Sequence, residues 1–241
     1  MHDEKIIYLT FDMDWACNEL MDFLYNLLEK YDLKATINVT NDFELMKQYK
    51  QNHKIELGIH PNFNFVLNGT EQKGKEQIVK ECKELVPDAV VSRSHSLVNS
   101  TPLTQLFYDN GIRYELNYYI PPQPEICVKP WKLEGVWQVP FLFEDDLYLM
   151  ERNIYTPEFY LDRDIHMLRV FNFHPIHLYL NCENLDRYYK IKNNYKDYNI
   201  LKDNVNLHSY GMYNFFLDLI ELSRNQGYRF ETISKIGEFI S

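Results

Sequence analysis

The chain has 241 residues, 45% of them apolar and 15% aromatic, which suits one large α/β domain with a packed core. A formal charge of -10 argues against the basic surface that nucleic acid or an anionic membrane attracts. No apolar run reaches the length of a membrane span, and the start MHDEKIIYLTFD lacks the basic and small-residue regions of a secretion signal, so the expected compartment is the cytoplasm.

In chain order, IIYLTFD reads as a buried strand. Leu20, Phe23, Leu24, Leu27, Leu28 and Tyr31 then form one apolar stripe at helical spacing. KATINVT predicts a second strand, DFELMKQYKQN a short helix opened by Asn41 and Asp42, and KIELGIH a third strand. Residues 70–88 read as a charged amphipathic helix stopped by Pro87. The next segment, AVVSRSHSL, is strand-like, and TPLTQLFYDNG is a helix with Pro in its first turn and Gly at its end. IRYELNY predicts another strand, and 121–145 reads as irregular strands and loops. MLRVFNFHPIHLYLN reads as a strong strand, and periodicity fails over 182–210, taken as a long loop or insertion. Met212, Phe215, Phe216, Leu219 and Ile220 make a last helical stripe before a short strand and a terminal helix in YRFETISKIGEFI. Cys17, Cys82, Cys127 and Cys182 are scattered without a C-x-x-C pair and are read as free thiols.

Repeated β-α units imply parallel strands, and such folds bind ligands beyond the carboxyl ends of those strands. The side chains expected there are ionisable. They are Asp12 and Asp14 after the first strand, His60 after the third, Arg93 and His95 after the fourth, and His174 and His177 in NFHPIH. A lone D-x-D is a weak signal, because aspartates that cap the next helix look the same. One carboxylate with two imidazoles, however, is a common ligand set for a catalytic zinc or similar ion.

These residues resemble the metal-dependent polysaccharide deacetylases, also called NodB-homology or carbohydrate esterase family 4 proteins, and most nearly their WbmS-like branch, associated with bacterial O-antigen and capsule clusters. The resemblance implies a distorted parallel (β/α) barrel of about seven units. Through TFDMD it makes Asp12 the general base and Asp14 a metal ligand, and it makes His60 the first histidine ligand. The family's second histidine is replaced by Asn64. Arg93 matches the arginine that orients the base, His95 stands where the family has proline, and His174 matches the histidine that protonates the leaving group. Asp14, His60 and His95 are therefore the expected metal triad. The alternative set contains Asn64, brought onto the face of His60 if Pro61 opens a helix.

The implied cofactor is one divalent ion, zinc first, with iron or cobalt as alternatives. The implied partner is a small activated or lipid-linked amino sugar carrying an N-acetyl or N-formyl group. Trp131, Trp137 and Phe141 are candidate sugar-stacking surfaces. Glu144, Asp145 and Asp146 read as a solvated acidic turn or as hydroxyl ligands, and 182–210 as a surface insertion or a lid. Three rivals explain less. A D-x-D phosphatase normally has Thr or Val where Ala16 stands, a glycosyltransferase places its D-x-D later in the chain, and a degenerate deacetylase fold would only bind carbohydrate or a partner protein.

Overall fold

The computed structural model describes residues 5–70, 73–123, 126–151, 155–162 and 165–238. Strand β1 (Ile6–Asp12) is central and fully buried. Its alternation divides two environments: Ile7, Leu9 and Phe11 face the layer of helices, whereas Ile6 and Tyr8 pack into an inner cluster with Val91, Leu116, Val139 and Phe141. Thr10 and Asp12 continue the inner row, so the inner face turns polar toward the carboxyl end of the strand.

Helix α1 (Asn18–Lys30) buries Leu20, Met21, Leu24, Leu27 and Leu28, most of the stripe expected from sequence. Strand β2 (Ala35–Val39) pairs with β1, helix α2 (Met46–Gln51) follows, and β3 (Ile55–Ile59) pairs with β2. Helix α2 opens four residues later than Asp42, whose carboxylate instead accepts from the N–H of Phe43. After the short helix α3 (Asn64–Leu67) come α4 (Lys75–Leu85), β4 (Val91–Ser92), α5 (Thr101–Asp109) and β5 (Tyr114–Glu115). The helix expected over 70–88 thus covers 75–85, and positions 71–72 lie outside the described residues.

Among its described residues, the region 121–145 contains three short strands, β6 (Trp131–Leu133), β7 (Val136–Gln138) and β8 (Phe143–Glu144). This stretch closes the barrel. Val139 N–H donates to Glu115 and Phe141 N–H to Tyr118 on the β5 side. Leu142 N–H then donates to Val170, and β8 pairs with β9 (Arg169–Phe173), itself the neighbour of β1. The result is a strongly curled, mostly parallel sheet; among the described residues, only β6 runs antiparallel to its partner β7. Strand β10 (Arg229–Glu231) pairs with the first half of β1.

Helix α6 (Asp145–Met150) starts directly from β8, and α7 (Pro157–Tyr160) follows. The strong strand expected through 181 stops at Phe173, because Pro175 opens helix α8 (Pro175–Tyr179). The stretch 182–210 is not a loop. It holds α9 (Leu185–Ile191), a 3₁₀ turn, and α10 (Tyr198–Asp203), whose N-termini are capped by Asn184 and Asp197. Their apolar stripes are too short to register as periodicity: Leu185 and Ile191 are the buried residues of α9, and Leu201 that of α10. Helix α11 (Met212–Asn225) buries all five predicted stripe residues, and Phe215 stacks on Phe143 at 4.8 Å. The expected terminal helix is a 3₁₀ segment, Ile233–Glu238. All four cysteines are free, and no helix among the described residues is long and apolar enough to cross a membrane.

Candidate active site

Strand β1 delivers two carboxylates into different surroundings. Asp12 ends the strand and is 2% exposed. Asn38 from β2 donates to its Oδ1 at 2.8 Å, Asn172 from β9 to its Oδ2 at 2.8 Å, and Arg93 approaches Oδ1 at 3.2 Å. Burial opposes ionisation of Asp12, but Arg93, His60 and His174 hold its carboxyl below the usual range. Arg93 is itself fully buried. Its Nε donates to Leu116, its Nη1 donates to both Thr10 and Asn172, and its plane lies 4.5 Å from the Phe141 ring. Gly58 permits this packing, since a Cβ there would sit 2.6 Å from the Asn38 side-chain oxygen and 2.9 Å from the Val91 carbonyl.

Asp14 lies beyond the strand end in the left-handed region with φ 45°, followed by Trp15 at φ 57°. For a bulky residue such as Trp this conformation is strained by on the order of 1–3 kcal/mol. Met13 N–H bonded to the Asn38 carbonyl and Trp15 N–H bonded to Thr40 hold the turn against that strain. The turn aims Asp14 Oδ1 at two imidazoles, with His60 Nε2 and His95 Nδ1 each 3.0 Å away. The two rings lie 5.5 Å apart at 88°. They are set by a pair of tied loops, in which His95 N–H donates to the Pro61 carbonyl and Asn64 Nδ2 donates to Ser96 Oγ.

That tie bears on the two expected triads. Asn64 donates from Nδ2 to Ser96, which leaves Oδ1 as the atom it could offer a cation, and Pro61 lies outside α3, whose first residue is Asn64. Asp14, His60 and His95 form one of three groups of imidazole and carboxylate donors among the described residues, beside Asp145, Asp146, His174 and His177 and beside Asp12, Glu144 and His174. His95 sits in a 3₁₀ turn rather than on a strand, because β4 ends at Ser92. Donors about 2.0–2.2 Å from one tetrahedral ion lie roughly 3.3 Å apart, close to the 3.0 Å from Asp14 to each imidazole. His60 is 3% exposed, yet neither of its ring nitrogens makes a hydrogen bond. An orphaned imidazole nitrogen beside a carboxylate fits a cation between them. His95→Ala should therefore weaken zinc binding by more than about 100-fold, and Asn64→Ala by less than about tenfold. Competition against a chelator measures both, and equal losses would remove His95 from the set.

His174, the residue after β9, faces the same centre. Its Nε2 is 3.5 Å from Asp14 Oδ2, and its Nδ1 is 2.6 Å from Asp145 Oδ1. Asp145 Oδ2 also accepts the His174 backbone N–H at 2.7 Å. The acidic run is thus not a solvated turn, since Asp145 is fully buried and clamps His174. Burial works against the imidazolium, but Asp145 and Asp146 overcome it and raise the His174 pKa well above the ordinary histidine range. His177 is buried beside it and bonds Asp146 at 2.6 Å.

Six predicted residues, Asp12, Asp14, His60, Arg93, His95 and His174, therefore converge. Asn38 and Asn172 escaped the sequence reading, and Asp145, read there as part of a solvated turn or as a hydroxyl ligand, clamps His174 instead. Asn38 and Asn172 had a signal, an amide side chain inside an otherwise apolar strand, between Ile37 and Val39 and between Phe171 and Phe173. Of the aromatic candidates, Phe141 is buried beneath Arg93 and Trp137 carries Lys132 over its ring at 4.9 Å. Trp131 is exposed at 37% beside Tyr118.

A family model described as WbmS-like polysaccharide deacetylase matches residues 9–192. The chain belongs to the WbmS-like polysaccharide deacetylase family. A solved structure from Bordetella bronchiseptica, named as a polysaccharide deacetylase involved in O-antigen biosynthesis, is 32% identical over 90% of each chain, with a TM-score of 0.82. A 4-alpha-glucanotransferase from Thermococcus litoralis is similar in fold alone, at 10% identity and TM-score 0.53 over 98% of this chain and 38% of that one. No curated protein matches the chain.

Within this member of the WbmS-like family, Glu144 is anomalous. A carboxyl oxygen lies within 4.8 Å of Asp12 and His174 donors, it makes no hydrogen bond to the described residues, and burial pushes its pKa up to about 7. The unfolded carboxyl ionises near 4.5. Between these values the folded state holds the proton more tightly, so this group weakens folding progressively as pH rises from about 4.5 to 7 and no further. Glu144→Gln should stabilise chelator-treated protein by roughly 3 kcal/mol at pH 8 and by little at pH 4. Denaturant titrations at the two pH values give the difference, and a pH-independent effect would refute it.

Proposed function

We propose that the protein is a metal-dependent hydrolase that removes an N-acyl group, acetyl or formyl, from an amino sugar during assembly of a bacterial surface glycan such as O-antigen. The observation that carries this reading is the 3.5 Å approach of His174 Nε2 to Asp14, the shared carboxylate of the His60 and His95 cluster. A proton donor and a metal-ligand set meet at one point. A divalent ion held by Asp14, His60 and His95 supplies Lewis acidity toward a carbonyl and acidifies water. Zinc suits one carboxylate with two imidazoles best, with iron or cobalt as substitutes.

The remaining roles belong to the chain. Asp12, kept anionic by Arg93 and fixed by Asn38 and Asn172, takes the proton of the attacking water. His174, kept protonated by Asp145, gives a proton to the departing nitrogen, which cannot leave as an amide anion. Tyr188 and Tyr195, from the stretch 182–210, line the cleft with Asp14 and His174. That wall favours a small activated or lipid-linked sugar inside the cell over a finished polymer. The test is metal analysis of purified protein followed by a screen of N-acetyl and N-formyl amino sugars for released acetate or formate. Stoichiometric metal with acid release supports the proposal. Metal-free protein that binds sugars without hydrolysis would replace it with a binding role.

A further inference from the structure

Asp146 and His177 have no part in the chemistry above, yet they line the same cleft as Asp14, His174, Tyr188 and Tyr195. His177 is 2% exposed. Its Nε2 lies 2.6 Å from Asp146 Oδ1, its Nδ1 lies 3.4 Å from the buried Cys182 sulfur, and the Tyr188 ring packs edge-on against it at 5.2 Å. One oxygen of Asp146 is therefore fixed from behind. The side chain is nevertheless 41% exposed, and its Oδ2 lies 3.9 Å from His174 Nε2. That oxygen faces the space beside the nitrogen that would protonate the leaving amine.

A departing amine within hydrogen-bond reach of His174 Nε2 brings the substituent on its neighbouring carbon to Asp146 Oδ2. An anionic acceptor there selects a donor such as a hydroxyl. A phosphate at that position is disfavoured, because the cleft lining there holds carboxylates and no lysine or arginine. We propose that Asp146, held in place by His177, accepts a hydrogen bond from a sugar hydroxyl adjacent to the acylamino carbon, making the enzyme selective for 1,2-acylamino alcohols. This rests on the deacetylase reading and adds a specificity residue to it; His177 is a positioning residue that acts through Asp146.

The experiment offers zinc-loaded protein N-acetylglucosamine and its 1-deoxy and 3-deoxy analogues, reading acetate release and, by calorimetry, binding. For wild type, removal of one of these hydroxyls should lower kcat/KM by about 10- to 100-fold, as loss of a hydrogen bond to a charged group does. In Asp146→Ala the parent and that analogue should react alike. His177→Phe should lose the discrimination and His177→Gln, which keeps a donor for Asp146, should retain it; a merely structural role would not separate the two. If Asp146→Ala does not fold, Asp146→Asn and the wild-type analogue series decide. Equal treatment of all three sugars by wild type, or undiminished discrimination in the Asp146 variant, overturns the subsite. Hydroxyl-dependent binding without acetate release leaves the subsite standing and overturns the deacetylase reading, whereas acetate release without discrimination does the reverse.

Discussion

Asp14→Asn will purify without stoichiometric metal and without hydrolytic activity, whereas Asp12→Asn will keep its metal and lose about 10²–10⁴-fold in kcat. The two carboxylates are separated by one residue but not by one environment. Asp14 Oδ1 has imidazole nitrogens of His60 and His95 at 3.0 Å, and burial is outweighed by those contacts, which hold its carboxyl well below the usual range. Replacing one oxygen by an amide nitrogen puts a donor where a cation would bind. Asp12 is 3.6 Å from His60 Nδ1, beyond hydrogen-bond range, and its bonds run to Asn38, Asn172 and Arg93 instead. Its loss therefore removes a proton acceptor and leaves the donor triad intact. Metal content, thermal denaturation and turnover of the two variants form the test. A metal-free Asp12→Asn with normal melting would exchange the two assignments.

Legibility in the sequence followed the physics of each segment. Helices α1 and α11 were plain because each buries one long stripe, Leu20 to Leu28 and Met212 to Ile220, and periodicity over several turns is hard to mimic. The site residues at strand ends were plain for a different reason: parallel strands deliver their carboxyl ends to one rim, so Asp12, Asp14, His60 and His174 needed only strand positions to be grouped. What failed were decisions made by one residue against a background of many. Pro175 converts an apolar run into a strand followed by a helix, and Asn184 and Asp197 cap helices that no stripe announces. Residues 139–144, which change partner from β5 to β9, carry no local mark of doing so, because closure of a barrel is set by neighbours far along the chain.

The site shows the same division. His95 was identified by its spacing from Arg93, but the interaction that presents it is tertiary, a bond from its N–H to Pro61 reinforced by Asn64 on Ser96. Asn64, the alternative ligand in the sequence, thus braces the turn that carries the favoured histidine. Asp145 was hidden by its company. In sequence, Glu144, Asp145 and Asp146 are one acidic run. In the fold the first is a buried carboxyl next to Asp12, the second clamps His174, and the third is anchored by His177 at the cleft wall. Three successive residues at a strand-to-helix junction point in three directions, and that divergence is invisible without the backbone.

His174→Gln should lower turnover of N-acetyl substrates by about 10²–10⁴-fold while costing far less with an activated acetate ester, whose leaving group departs without protonation. The proton is the reason. Asp145 Oδ1 occupies the Nδ1 side of the ring at 2.6 Å, which leaves Nε2 to carry the transferable proton into the cleft beside Asp14. Burial alone would strip that proton, and Asp145 and Asp146 more than reverse the effect, so the imidazolium persists through neutral pH. Activity that needs it is present below the raised pKa and falls as pH climbs through it. Asp145→Asn removes the main counter-charge, so the alkaline fall of kcat on an amide should move to lower pH, while the ester profile keeps its position. Rate profiles of wild type and both variants on the two substrate types measure this directly. An equal loss on amide and ester would assign His174 to binding, and an unshifted alkaline limb in Asp145→Asn would show that another group protonates the leaving amine.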